Sequence, residues 1–195
     1  MFIMKKITNK KNQAGFTLIE IAIVLVIIGL LIGGILKGKA MIQNAKVKRV
    51  VKQADEVRAA VMSFYDKYGM YPGDENSTSF PPNDSHNGNG DGQISLGEAD
   101  MVFEDLMKAG FIGGNFDGDG EDSIPNHAFG DKYRVYWVNP GSGYDHFIRF
   151  ENLPWDVCLE IDTKYDDGKY DSGSIRGNED YTEANSPIGY FYMPL

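Results

Sequence analysis

The chain has 195 residues, of which 42% are hydrophobic and 24% charged, a composition that suits one ordinary domain plus an appendage and not a multidomain enzyme. Lys and Arg number 19 against 28 Asp and Glu, a formal charge of −9 at pH 7; this surplus repels polyphosphate, so no general nucleic-acid binding is expected, and divalent cations are the natural counter-charge. The single cysteine, Cys158, excludes an intrachain disulfide and a zinc site built from several thiolates.

Residues 1–15 hold Lys5, Lys6, Lys10 and Lys11 and no acid. From Phe16 to Leu36 the only ionisable side chain is that of Glu20, and Lys37 and Lys39 follow. As an α-helix this run rises about 31 Å, enough to cross a bilayer hydrocarbon core of about 30 Å. The preceding lysines favour a cytoplasmic N-terminus, which sends the rest of the chain to the far side. An ordinary secretory signal ends in a small-residue cleavage site after its apolar run, and none follows Leu36. The small, polar junction lies before the run instead, in Gln13-Ala14-Gly15-Phe16-Thr17-Leu18-Ile19-Glu20.

That stretch, placed between a lysine-rich leader and a spanning helix, resembles the type III signal of type IV pilins and type II secretion pseudopilins. The resemblance implies cleavage between Gly15 and Phe16 by a prepilin peptidase, a membrane-embedded aspartic protease, and N-methylation of Phe16. It also implies insertion in a bacterial inner membrane, then polymerisation by an assembly platform into a periplasmic or extracellular filament, alone or mixed with other pilins. The expected organisation is a cleaved cytoplasmic leader over 1–15, a transmembrane and assembly helix over 16–36, its amphipathic continuation over 37–70, and a head over 71–195.

A carboxylate such as Glu20 inside an apolar span is costly unless paired. Cleavage would create a positive amino group on Phe16 at the same depth, and Glu20 of one subunit would meet the amine of its neighbour in a helical bundle, as the resemblance also implies. Gly29 with Gly33, and Gly34 with Gly38, form small-xxx-small pairs that permit close helix approach, although glycine is common in membrane helices in any case.

Beyond the apolar run, Val47, Val50, Ala54, Val57, Val61, Phe64 and Tyr68 recur at alternating spacings of three and four, one helical stripe suited to core packing. No proline precedes Pro72, so one helix is expected from about Thr17 to Tyr68, ended by Gly69 and Pro72. Three later pieces have strand character: Tyr133 to Val138, Tyr144 to Phe150 and Val157 to Ile161, the first two joined by the turn formers Asn139-Pro140-Gly141-Ser142-Gly143. An antiparallel sheet laid on the helix would bury Tyr136, Val138, Phe147, Ile148, Val157 and Leu159. The fold class expected is α+β, a long N-terminal helix packed on a small antiparallel β-sheet head.

The head is rich in acidic loops. Asn87-Gly88-Asn89-Gly90-Asp91-Gly92-Gln93-Ile94-Ser95-Leu96-Gly97-Glu98 fits a twelve-residue calcium loop, with Asn87, Asn89, Asp91, Ser95 and Glu98 as oxygen ligands, Gln93 offering its carbonyl, and a glycine at the sixth place for the sharp turn. An exiting helix is expected over Ala99 to Ala109, while Pro81 and Pro82 preclude a matching helix on entry. A second run offers Asn115, Asp117, Asp119 and Asp122 with poorer spacing, and a third offers Asp162, Asp166 and Asp167. The alternatives for these runs are a capped glycine turn and solvated acidic surface. Similar C-terminal acidic loops occur in calcium-binding pseudopilins, where an ion takes over the stapling that a disulfide supplies elsewhere, so calcium is the expected cofactor. Tyr71-Pro72-Gly73-Asp74 and the Gly88–Gly92 run also resemble prepilin heads.

Signals for catalysis are missing. His86, His127 and His146 form no close metal-binding pair, no G-x-S-x-G elbow or phosphate-binding glycine motif occurs, and Cys158 reads as a buried structural thiol. The expected function is that of a structural filament subunit and not an enzyme. The alternative is a single-span membrane protein that displays a calcium-dependent adhesion head and never polymerises.

Overall fold

The computed structural model describes residues 15–77 and 79–195. The leader expected over 1–15 lies, apart from Gly15, outside the described residues. The chain divides into two compact units, Met1–Gln43 and Asn44–Leu195. Helix α1, Leu18–Tyr68, is 51 residues long and contributes to both. Its bounds lie within one residue of those expected from the absence of proline and the apolar stripe.

In the first unit the side chains of α1 are exposed on every face, including Leu18, Leu25, Leu30, Ile35 and Leu36. A helix apolar all round needs an apolar surrounding, either lipid or other helices. α1 is the one helix among the described residues long and apolar enough to cross a membrane.

In the second unit the stripe points inward. Val47, Val50, Ala54, Val57, Ala60, Val61 and Phe64 are buried, and the stripe ends at Tyr68, half-buried and stacked on Phe80. Gly69 closes the helix: its φ is +76°, and its N–H donates to the Tyr65 carbonyl at 2.7 Å. Glycine adopts this left-handed conformation without a Cβ penalty, which is why the helix stops here.

The sheet has four antiparallel strands in the order β1-β2-β4-β3. Strand β1 is Tyr133–Val138, β2 Asp145–Leu153, β3 Arg176–Gly177 and β4 Ile188–Pro194. The expected hairpin is β1-β2, in register Tyr133↔Phe150 to Val138↔Asp145. That register sets Arg134 opposite Arg149, a like-charge pair that is destabilising unless neutralised. Glu151 neutralises it, accepting from Arg134 at 2.8 Å and from Arg149 at 2.5 Å, and Arg149 also donates to the Tyr136 hydroxyl at 2.9 Å. Of the six residues expected to bury, Tyr136, Phe147, Ile148 and Val157 do so, while Val138 and Leu159 are half-buried at the core's edge.

The segment Val157 to Ile161, expected as a strand, lies instead in helix α3, Trp155–Tyr165. Its buried residues Val157, Cys158, Ile161 and Asp162 fall at one, four and five residues from the first, which is helical spacing. Pro154 precedes the helix, Asp156 sits in its first turn and Lys164 in its last, an arrangement favoured by the helix dipole. The short run of apolar residues resembled a strand because it is too brief for its period to separate the two cases. The third long strand is β4, paired with β2 from Phe147↔Pro194 to Leu153↔Ile188. The exiting helix expected over Ala99 to Ala109 is α2, Val102–Lys108, which buries Val102, Phe103 and Leu106 together with Glu104 and Asp105.

Candidate functional site

The described part of the N-terminal signal is a helix cap. The Thr17 hydroxyl sits at the helix start, with the Glu20 N–H 3.3 Å away as donor. Glu20 reaches back: its Oε2 accepts from the Thr17 N–H at 2.7 Å and from the Thr17 hydroxyl at 2.7 Å. This reciprocal pattern is a capping box, satisfying backbone donors that have no partner within the helix. Its signal, Thr followed three residues later by Glu, stands in the sequence and was not used in the expectation for Glu20. Among the described residues the carboxylate therefore has hydrogen-bond donors but no opposite charge.

The loop Asn87–Glu98 is wound by its own side chains. Asn89 Oδ1 accepts the Asp91 N–H at 2.8 Å and Asp91 Oδ1 accepts the Gln93 N–H at 2.9 Å. Glu98 clamps both ends, with Oε1 accepting from the Asn89 N–H at 3.0 Å and Oε2 from the Ser95 N–H at 2.8 Å. Asn87 turns away and donates to Asp84 at 3.4 Å. A residue outside the loop completes it: Asp74, fully buried, accepts the Asp91 and Gly92 N–H groups at 3.0 and 2.9 Å. Burial pushes the Asp74 carboxyl above its usual range, despite those two bonds. Asp74, Asp91 and Glu98 thus share this turn, although the structure gathers no three acidic side chains there within a single coordination radius.

The run Asn115–Asp122 is tied up internally. Asp117 accepts a hydrogen bond from the Ser123 hydroxyl, which lowers its pKa, and Ser123 Oγ accepts from the N–H groups of Asp117 and Asp119 at 3.1 and 3.0 Å. Among the described residues, Asn115, Asp119 and Asp122 join no acidic cluster.

The third run does converge. One carboxylate oxygen from each of Asp162, Asp166 and Asp167 lies within 4.8 Å of the others. Asp162 comes from the last turn of α3, and the other two from the turn that ends it. Asp162 is buried, which raises its pKa; it accepts from Tyr181 Oη at 2.8 Å and from the Gly168 N–H at 2.8 Å. Asp166 Oδ2 accepts from the N–H groups of Ser174 and Ile175 at 2.5 and 2.7 Å. Asp167 accepts from the Ser172 hydroxyl at 2.5 Å, and this bond lowers its pKa. Three carboxylates held in fixed positions by neutral donors suit a hard cation with oxygen ligands. The spacing was poor in sequence because the α3 turn, and not a continuous loop, brings Asp162 to its partners.

A second group of three had no motif to announce it. Glu75, Asp84 and Asp105 each place a carboxylate oxygen within 4.8 Å of the others. Glu75 follows the Tyr71–Asp74 turn, Asp84 follows Pro81 and Pro82, and Asp105 lies on α2. The nearest sequence signal is a pair of acids, Glu104 and Asp105, at positions where α2 faces the core.

Cys158 is fully buried, and burial pushes its thiol well above the usual range, as befits an inert side chain.

Residues 10–36 match a family described as the prokaryotic N-terminal methylation motif, the prepilin signal of type IV pilins and pseudopilins. The motif points to a structural, pilin-like prepilin, and implies processing by a prepilin peptidase and assembly into a filament. No curated protein and no solved structure gave a match to the chain.

Proposed function

We propose that this chain is a filament subunit of a type IV pilus or of a type II secretion pseudopilus, anchored in a bacterial inner membrane through α1 before assembly. The observation that carries this reading is the methylation motif at residues 10–36 running directly into a helix whose first unit is apolar on every face. A helix of that kind is stable in lipid and equally stable packed among copies of itself, so one segment serves as anchor and as polymer core. Cleavage between Gly15 and Phe16 supplies the missing opposite charge for Glu20, on the Phe16 amine of an adjacent subunit. The carboxylate oxygens of Asp162, Asp166 and Asp167 hold calcium, which staples the C-terminal part of a head that has a single cysteine.

Mass spectrometry of the N-terminus from native membranes tests the reading. An N-methylated Phe16 is the expected result; an intact lysine-rich leader would replace the filament subunit with a non-polymerising membrane anchor carrying an adhesion head.

A further inference from the structure

We propose that Glu75, Asp84 and Asp105 form a second divalent-cation site in the head, separate from the C-terminal aspartates, made from three segments that come together only in the fold.

Two of the three side chains are fully buried, at 0% exposure for both Glu75 and Asp105, and Asp84 stands half-exposed at the rim. Each buried carboxylate is fixed through one oxygen. Asp105 Oδ2 accepts the Gly73 N–H at 2.5 Å, and Glu75 Oε2 accepts the Ser77 N–H at 2.8 Å. The other oxygen of each, Asp105 Oδ1 and Glu75 Oε1, is buried without an N–H or basic donor, and the Asp84 carboxyl stands within hydrogen-bond reach of both side chains. A buried, unsatisfied carboxylate oxygen is expensive, and an ordered water, a bound ion or a functional role is what accounts for such a group in native structures.

No base fills the position. Two neighbouring bases are engaged elsewhere: His86 Nδ1 lies 2.8 Å from Glu104 Oε2, and Lys108 Nζ lies 3.9 Å from Glu104 Oε1 while donating to the Asn83 carbonyl at 2.8 Å. Among the described residues, none of Glu75, Asp84 and Asp105 is within ion-pair distance of a Lys, Arg or His. Burial, and then the Asp84 carboxylate that faces them both, push Glu75 up to about 7 and Asp105 up to about 9. Three crowded acids without a base accept either protons or a metal ion.

The donor set selects the ion. All three ligands are carboxylates, with no sulfur or imidazole in the group, which favours a hard cation such as calcium or magnesium over zinc or copper. The fixed oxygens pre-orient the free ones, and the half-exposed Asp84 leaves a route for entry. The ion would tie the post-helix turn at Glu75 and the Asp84 loop to α2, joining segments with little regular structure of their own.

The test uses the full-length chain in detergent micelles, stripped with chelator and titrated with calcium chloride or magnesium chloride by calorimetry, with thermal melting as a second readout. Asp84→Asn, at the rim, and Asp105→Asn, in the interior, are compared with Asp162→Asn. Each of the first two variants should bind one ion fewer than the wild type while keeping the ion lost in Asp162→Asn. In chelator, Asp105→Asn should melt no lower than the wild type, because a neutral amide keeps the acceptor for the Gly73 N–H, and it should lose the part of the metal-induced Tm gain that Asp162→Asn retains. The proposal is overturned if the wild type binds neither metal, or if Asp84→Asn and Asp105→Asn bind as many ions as the wild type. It is equally overturned if Asp105→Asn melts lower by the same amount with and without metal, the behaviour of a proton-sharing structural cluster. Loss of binding in Asp162→Asn alone would support the C-terminal calcium site and reject this one.

Discussion

Glu20 carries two roles that a substitution can separate. Its hydrogen bonds to Thr17 cap the helix, a role that glutamine fills equally well, whereas its charge has no partner among the described residues. Glu20→Gln should therefore leave cleavage at Gly15 and the helix start intact and sharply reduce filament yield, measured by shearing and quantifying polymer from cells. Wild-type yield in that variant would show that the capping box, and not the charge, is what assembly requires. Histidines in the head make a second residue-scale case. His127 Nε2 lies 2.7 Å from the Glu151 carbonyl and its Nδ1 accepts from the Phe129 N–H, so the proton sits on Nε2. His146 has the opposite tautomer, because its Nε2 accepts the Ile94 N–H at 3.0 Å. Burial lowers both pKa values below the ordinary 6.5. The unfolded chain then takes up these protons first as pH falls, so their stabilising contribution is complete above about 6.5 and is lost as pH drops toward the lowered native values. Nitrogen NMR should find the two rings more than half neutral at pH 6.5 and in different tautomers; titration of either at or above 6.5 would contradict the assignment.

At the scale of elements, the turn after α1 and the acidic loop are packed backbone to backbone. A Cβ on Gly88 would stand 2.5 Å from the Asp74 Cα and against the Gly73 carbonyl, so glycine is required there by close approach. The same contact delivers Asp74 to the Asp91 and Gly92 N–H groups. Gly88→Ala should destabilise the head by about 1–3 kcal/mol, a fall in Tm of roughly 3–10 °C. Thermal melting checks this, and an unchanged Tm would mean that the two segments are not in register as described. Elements with a long period were legible beforehand: α1 shows seven apolar positions in strict alternation, and the hairpin β1-β2 is marked by five turn formers. Elements with short signals were not. Val157 to Ile161 suits either a strand or a turn and a half of helix, and the choice fell to helix because Cys158 and Ile161 both bury against the core from that geometry. Strand β4 holds Tyr190, Phe191 and Tyr192, but Gly189 and Pro194 break the run that a strand signal needs.

At the scale of the whole molecule, the two units differ in what satisfies them. The head buries its stripe against its own sheet, while the described part of the first unit exposes large apolar side chains, as a helix meant for an apolar surrounding does. Charge follows the same division. The ionisable side chains of the apolar run reduce to Glu20, whereas the head concentrates acids in loops, two groups of which converge closely enough to bind an ion. A head with one buried cysteine has no intrachain disulfide, so its loops are held by hydrogen bonds and core packing.

Local order in the chain was sufficient to determine the signal, the apolar helix, its buried continuation and the α+β class, because a cleavage motif and a helical stripe are properties of neighbouring residues. The acidic clusters were a different matter. Asp162 reaches Asp166 and Asp167 across the end of a helix, Asp74 completes a loop it does not belong to, and Glu75, Asp84 and Asp105 come from three separated segments. Coordination depends on distances between side chains and on which of their oxygens remain unbonded, and only the packed tertiary structure sets both.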